Sequence, residues 1–150
     1  MATYMQGAVK AGSSPSEYTG VGYAVFSQTA VVTSLAAGTA AAGTITIPAN
    51  SQIVNIFADK IVDWVVGGGG ATTLPVFAGS TLGGVEYLPS TDMASTARVA
   101  LTGSNVTVAI AAAIDNVGTA TTVHLTVDPN GTVSTTQAQI RFTVQYVITE

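Results

Sequence analysis

The end of the chain constrains the fold more than any other stretch. Residues 139–149 read Gln-Ile-Arg-Phe-Thr-Val-Gln-Tyr-Val-Ile-Thr. Ile140, Phe142, Val144, Tyr146 and Ile148 fall on one parity. Gln139, Arg141, Thr143, Gln145, Val147 and Thr149 fall on the other. Successive side chains of a β-strand point to opposite faces, so this segment carries one wholly apolar face and one mostly polar face. It predicts a long strand whose apolar side floors a core. The upstream segments are then further strands packed on that floor.

Several upstream segments read the same way. Residues 22–35 are rich in Tyr, Val, Phe and Thr and predict one strand, or two with a kink near 27–29. Residues 36–43, a run of Ala, Gly and Thr without an amphipathic stripe, predict a loop. Thr44-Ile45-Thr46-Ile47 alternates, and Pro48, lacking an N–H, ends the ladder before the turn at 49–51. Residues 52–66 predict a long strand. Its mixed parity suggests a bulge or coverage on both faces. Asp59, Lys60 and Asp63 mark an exposed part of it, and parity leaves Trp64 open between core and surface.

Gly67, Gly68, Gly69 and Gly70 form a hairpin tip in this reading. A phosphate-cradling loop would need a helix and a Lys after the glycines, and neither follows. Pro75 inside the strand at 73–78 suggests a sheet edge. Residues 79–84 read as a loop and 85–88 as a short strand. Residues 90–96 suggest one helical turn with Ser90 as N-cap and Asp92 near its positive end. Strands return at 98–101, at 105–114 and at 121–127. Asp115-Asn116-Val117-Gly118 and Asp128-Pro129-Asn130-Gly131 are turn chemistry. Eight to ten short strands at this spacing, with no useful amphipathic helix, predict an all-β antiparallel sandwich or barrel, and of the two a sandwich is expected. Residues 1–20 predict an extended N-terminal arm and residues 21–150 the sandwich domain, a size suited to one core. Tyr4, Met5 and Tyr18 are the arm's candidate partner-binding residues, being apolar anchors without a local core.

Charge narrows the function. Only 8% of the 150 residues are charged, 47% are hydrophobic, and the net charge is −4. A typical soluble domain carries about a quarter charged residues. So neutral a surface is poorly protected against association, which points to a chain covered by neighbours in its working state. Lys10, Lys60, Arg98 and Arg141 are the only fixed positive side chains, and they are scattered. Nucleic acid and anionic membrane are therefore not expected as partners. Residues 1–7 hold neither a basic region nor an apolar run, so no secretory signal is expected. The absence of Cys excludes disulfides and thiolate chemistry.

Reaction chemistry finds little to stand on. His124 is the single histidine and sits mid-strand between Thr122 and Thr126, away from any nucleophile motif. One His and no Cys make a zinc site improbable. Asp115, Asp128 and Asn130 are explained by turns without calcium. Glu17, Glu86 and Glu150 are too dispersed to suggest a glycosidase pair. No catalytic residue, cofactor or metal is expected.

From Thr44 onward the sequence resembles small tailed-bacteriophage proteins that decorate or cement the capsid. The resemblance is carried by Ile45-Thr46-Ile47-Pro48-Ala49-Asn50 and the long strand from Gln52. The Gly-rich tip, Gly118-Thr119-Ala120 and the closing Val144-Gln145-Tyr146-Val147 complete it. It covers about two thirds of the chain and is one of composition and rhythm. It implies a jelly-roll sandwich, a homotrimer, and binding across capsomer joints to the major capsid protein. It also implies a virion location on the capsid surface after synthesis in the host cytoplasm. The rival expectations are a receptor- or carbohydrate-binding fibre or spike module, with Trp64, Tyr87 and Tyr18 as ring faces for sugar, and a self-assembling shell or tail-tube subunit.

Overall fold

The computed structural model describes residues 24–34, 39–66, 73–100, 115–116, 119–130 and 134–148. The arm at 1–20 with Tyr4, Met5 and Tyr18, the glycine tip at 67–70 and the strand expected at 105–114 lie outside them. The described chain is all β, with no helix. In order the strands are β1 (Phe26–Thr33), β2 (Ala41–Ile47), β3 (Ser51–Val62), β4 (Val65–Val66), β5 (Pro75–Gly79) and β6 (Leu88–Asp92). There follow β7 (Arg98–Ala100), β8 (Asp115–Asn116), β9 (Thr121–Val127), β10 (Ser134–Thr136) and β11 (Gln139–Ile148).

Two antiparallel sheets face each other. The first runs β1-β11-β3-β7, with β8 paired to the start of β3; the second runs β2-β9-β5-β6. A separate ribbon pairs β10 with β4. Their inner faces meet in one core. Ile140, Phe142, Val144 and Tyr146 of β11 and Ile53, Ile56 and Ala58 of β3 supply one side. Ile45, Ile47, Val76, Ala78, Val123, Leu125 and Val127 supply the other. Phe142 is the largest of the fully buried side chains. The parity of β11 thus does what its sequence predicts, as far as Tyr146. Ile148, one rung further, is 42% exposed because it lies beyond the packed core.

β3 carries the irregularity that its mixed parity suggested. Its register on β11 slips twice: Val54 stands extra between the pairs Gln145–Asn55 and Tyr146–Ile53, and Ile61 between Ile140–Lys60 and Gln139–Val62. Each bulge adds one residue to β3, so a single strand can place Ile53 and Ile56 in the core despite their odd spacing. β1, by contrast, pairs with β11 over all eight residues without a slip, so no kink occurs at 27–29. β2 begins at Ala41, inside the expected loop. A Cβ on Gly43 would lie 2.9 Å from Val32 Cγ2, so a residue without a side chain lets β2 pass close to β1.

Three local expectations are corrected. β5 is an inner strand, between β9 and β6, not an edge. Pro75 is tolerated there because it is the first residue of the strand, where a missing N–H costs no ladder bond. Ser90 does not cap a helical turn; it lies in β6. Asp92 Oδ1 instead accepts from the backbone N–H groups of Leu74 (2.7 Å) and Ala94 (2.9 Å), which fixes an extended chain and a turn in place of a helix. Asp59 and Lys60 are not exposed: their side chains are each 10% accessible, and only Asp63 of the three faces water.

Lys60 shares the inward parity of Ile140 and reaches the rim of the core. Its Nζ donates to Met93 O (3.1 Å) and Ala94 O (3.0 Å) and pairs with Asp63 Oδ1 at 2.7 Å. A buried ammonium is stable only when its donors are met, and here they join the first sheet to the loop after β6. Trp64 is core, 7% exposed, although its Nε1 has no hydrogen-bond partner.

Replacing Phe142 by Ala removes the largest fully buried side chain of the core between the two sheets. We expect a loss of about 3–5 kcal/mol in chemical denaturation. Gly79→Ala tests a tighter constraint, since a Cβ there would meet the Gly84 backbone at 2.4 Å. It should lower the unfolding midpoint, as the backbone has no way to yield.

Candidate interaction surface

The outer face of the first sheet holds the densest ionic contact among the described residues. Register places Val31, Arg141, Asp59 and Arg98 side by side on β1, β11, β3 and β7. Asp59 Oδ2 accepts from Arg141 Nη2 at 3.1 Å, and Asp59 Oδ1 accepts from Arg98 Nε. One rung along, Phe57 offers its ring to Arg98, whose guanidinium carbon lies 5.0 Å from the ring centre. The Arg98 hydrogen bond, with Arg141 assisting, holds the Asp59 carboxyl below its ordinary value, against the opposing effect of burial. Two guanidinium groups lie over one carboxylate, so the cluster is satisfied internally and leaves a neutral or mildly positive patch.

The second feature is apolar. Val25, Phe26 and Val31 at β1, Ile148 at the end of β11, the bulge residues Val54 and Ile61, and Leu82 and Val85 in the β5–β6 loop are all exposed. Two of these settings stand out. Leu82, at 68%, sits on a loop held by Gly84 N–H donating to Thr81 O (2.9 Å) and Ser80 N–H donating to Glu86 Oε2 (3.2 Å). Phe26 is on the inward parity of β1, stacked on Tyr146 with ring centres 5.7 Å apart, yet it is 44% exposed. The Tyr146 hydroxyl accepts from Gln28 Nε2 at 3.1 Å, which fixes that ring. The core face of the first sheet therefore extends past the cover given by the second.

These residues were legible only in part. Phe26 and Val31 belong to a segment that reads as strand, but edge or centre is decided by pairing partners far along the chain. Asp59, Arg98 and Arg141 are separated by 39 and 82 positions and meet only through register. Trp64 and Tyr87, the ring faces considered for sugar, are 7% and 3% exposed, so neither offers a stacking platform. Tyr18 lies outside the described residues. His124 stands half-buried on β9 opposite Thr44, with Gly79 as its other cross-strand neighbour. No group of three or more His, Cys, Asp or Glu among the described residues is placed to hold a metal ion.

Comparison with known proteins gives similarity in structure and none in sequence. No family model matches the chain, and no curated protein matches it. Two solved structures do. A chain in the capsid of Ralstonia phage GP4 superposes with a TM-score of 0.55 at 19% identity, over 86% of each chain. A chain in the capsid asymmetric unit of cyanophage Pam1 superposes with a TM-score of 0.61 at 17% identity, over 95% of this chain and 96% of that one. At such identities the likeness is one of fold.

The Asp59 cluster makes stability depend on acid. Because the folded carboxyl titrates below the unfolded one, its contribution is complete above the ordinary value of 3.8 and fades as pH falls through the lower folded value. Asp59→Asn should cost about 1–3 kcal/mol at pH 7, by leaving two guanidinium groups without a counter-charge. The gap between variant and parent should narrow in denaturation curves as pH falls below the ordinary value of 3.8, and close only under the lower folded one.

Proposed function

We propose that the chain is a structural virion protein that decorates and cements a bacteriophage capsid, binding across capsomer joints as a homotrimer. The observation that carries this reading is the end-to-end likeness to two phage capsid chains. Coverage is nearly equal in both directions, so those chains are of similar length, and the whole fold, not a fragment, is what is shared. Low charge and exposed apolar side chains agree with it.

Strand order supports the jelly-roll form. Setting the short β4, β8 and β10 aside, eight strands remain; in chain order one sheet pairs the first with the eighth and the third with the sixth, and the other pairs the second with the seventh. Each sheet then holds strands from both halves of the chain. Such a domain resists opening and suits a part that must hold a joint under load. Cementing needs no reaction. The protein binds the assembled shell and not its separated subunits, and so stabilises the shell by mass action. Three equivalent contacts per trimer add avidity without strong individual contacts. The arm at residues 1–20, with Tyr4, Met5 and Tyr18, is the segment we assign to the capsid or to a neighbouring subunit. The major capsid protein is the partner, and the outer capsid surface is the location.

The test is binding to purified capsids of the phage that encodes the chain, read by co-sedimentation. The full chain should pellet with capsids, and a chain lacking residues 1–20 should lose at least about tenfold in affinity. Unchanged binding would remove the arm from the proposal. Mass measurement at micromolar concentration should give three copies; a monomer would remove the trimer.

A further inference from the structure

β1 is an edge that nothing in its own sequence defends. Among the described residues it hydrogen-bonds to β11 alone. Natural edge strands are kept from pairing by Lys, Pro, a bulge or an inward charge. Phe-Ser-Gln-Thr-Ala-Val-Val-Thr has no charge and no Pro, and its register on β11 is unbroken. Exposure agrees that the strand is an edge. On its outer face Ser27, Thr29, Val31 and Thr33 are all exposed, whereas Thr143, the partner of Thr29 on β11, is 6% exposed. On the inner face Phe26 is left half uncovered although it continues the core.

We infer that β1 pairs antiparallel with β1 of a second copy of this chain about a twofold axis, joining two sandwiches into one continuous sheet. An antiparallel edge is complementary to itself, so one surface serves both partners. Charge leaves this contact open: each copy carries only −4, so repulsion between copies is weak. Residues 18–58 hold no ionisable side chain except tyrosine, and they include β1, β2 and the first half of β3. A twofold through β1 therefore brings no fixed charge against its own image. Side-chain parity selects the register. Setting Thr29 opposite its own copy puts Phe26 opposite Val32 and Gln28 opposite Ala30 on the inner face, and Ser27 opposite Val31 on the outer face. Aromatic against β-branched is a favourable cross-strand pair, and it covers the exposed ring. The contact goes beyond capsid decoration and does not depend on it. Where trimers also form, it links one trimer to the next.

Cysteine cross-linking tests the register on a background free of thiols. In the full-length protein Thr29→Cys places two sulfurs on directly opposed residues, within the Cα separation a disulfide requires. Thr33→Cys, equally exposed on the same strand, places them far apart. Under mild oxidation at high protein concentration, Thr29→Cys should give about tenfold more covalent dimer than Thr33→Cys. Thr29→Lys, which opposes two ammonium groups at the axis, should shift the sedimentation of concentrated protein toward the smaller species. Equal cross-linking of the two cysteine variants would overturn the inference. So would unchanged sedimentation of Thr29→Lys. Cross-linking of Thr29→Cys to a capsid protein in preference to its own copy would overturn the choice of occupant.

Discussion

The contact on which the rest depends is that of β11 with its two neighbours and with the opposite sheet. β11 lies between β1 and β3 and pairs with both along nearly its full length. Its inner side chains, Ile140, Phe142, Val144 and Tyr146, are buried against the second sheet. No other strand both completes a sheet and supplies so much of the core. Because it follows every other described strand in sequence, the first sheet cannot close until those strands have been placed. Such long-range pairing raises contact order and slows folding. The same interleaving makes partial opening difficult, since β11 cannot peel away without breaking its pairings on both sides.

Ionic groups are few, and those described are largely spent inside the molecule. Arg98 and Arg141 turn to Asp59, and Lys60 turns to Asp63 and two carbonyls. Asp92 serves two backbone N–H groups, and Glu86 one. Beside the exposed faces of Asp63, Arg98 and Arg141, most of what meets water is hydroxyl, amide, backbone and apolar carbon. A surface of that kind has little long-range repulsion to keep copies apart. The low charge of the sequence is thus felt twice: the fold uses its ionic groups to fix strands and loops, and few unpaired charges are left outside.

How much was readable follows from what each residue's environment depends on. β9 and β11 were legible because alternation is a local property and both strands turn their apolar parity to the core, as alternation predicts, although Thr126, Thr143 and Val147 on the other parity are buried too. The slips in β3 were half legible: mixed parity announced irregularity, but Val54 and Ile61 could be named only against the register of β11. Pro75 misled because proline is excluded from strand interiors, not from their first residue. Ser90 and Asp92 carried a helix-start pattern, yet the Asp92 carboxylate found Leu74 N–H, a partner distant in sequence. Asp59 and Lys60 looked solvent-exposed because charge usually is; two arginines from elsewhere and a pair of loop carbonyls reversed that. The candidate surface was the least legible of all. Whether Phe26 and Val31 are covered depends on which strand, if any, lies beyond β1.

The Lys60 arrangement has a practical reading as well. An amine held by three oxygens and screened from solvent has no free lone pair to offer an acylating reagent. The sequence holds one other lysine, Lys10, so amine-directed dyes or biotin should leave Lys60 largely unlabelled.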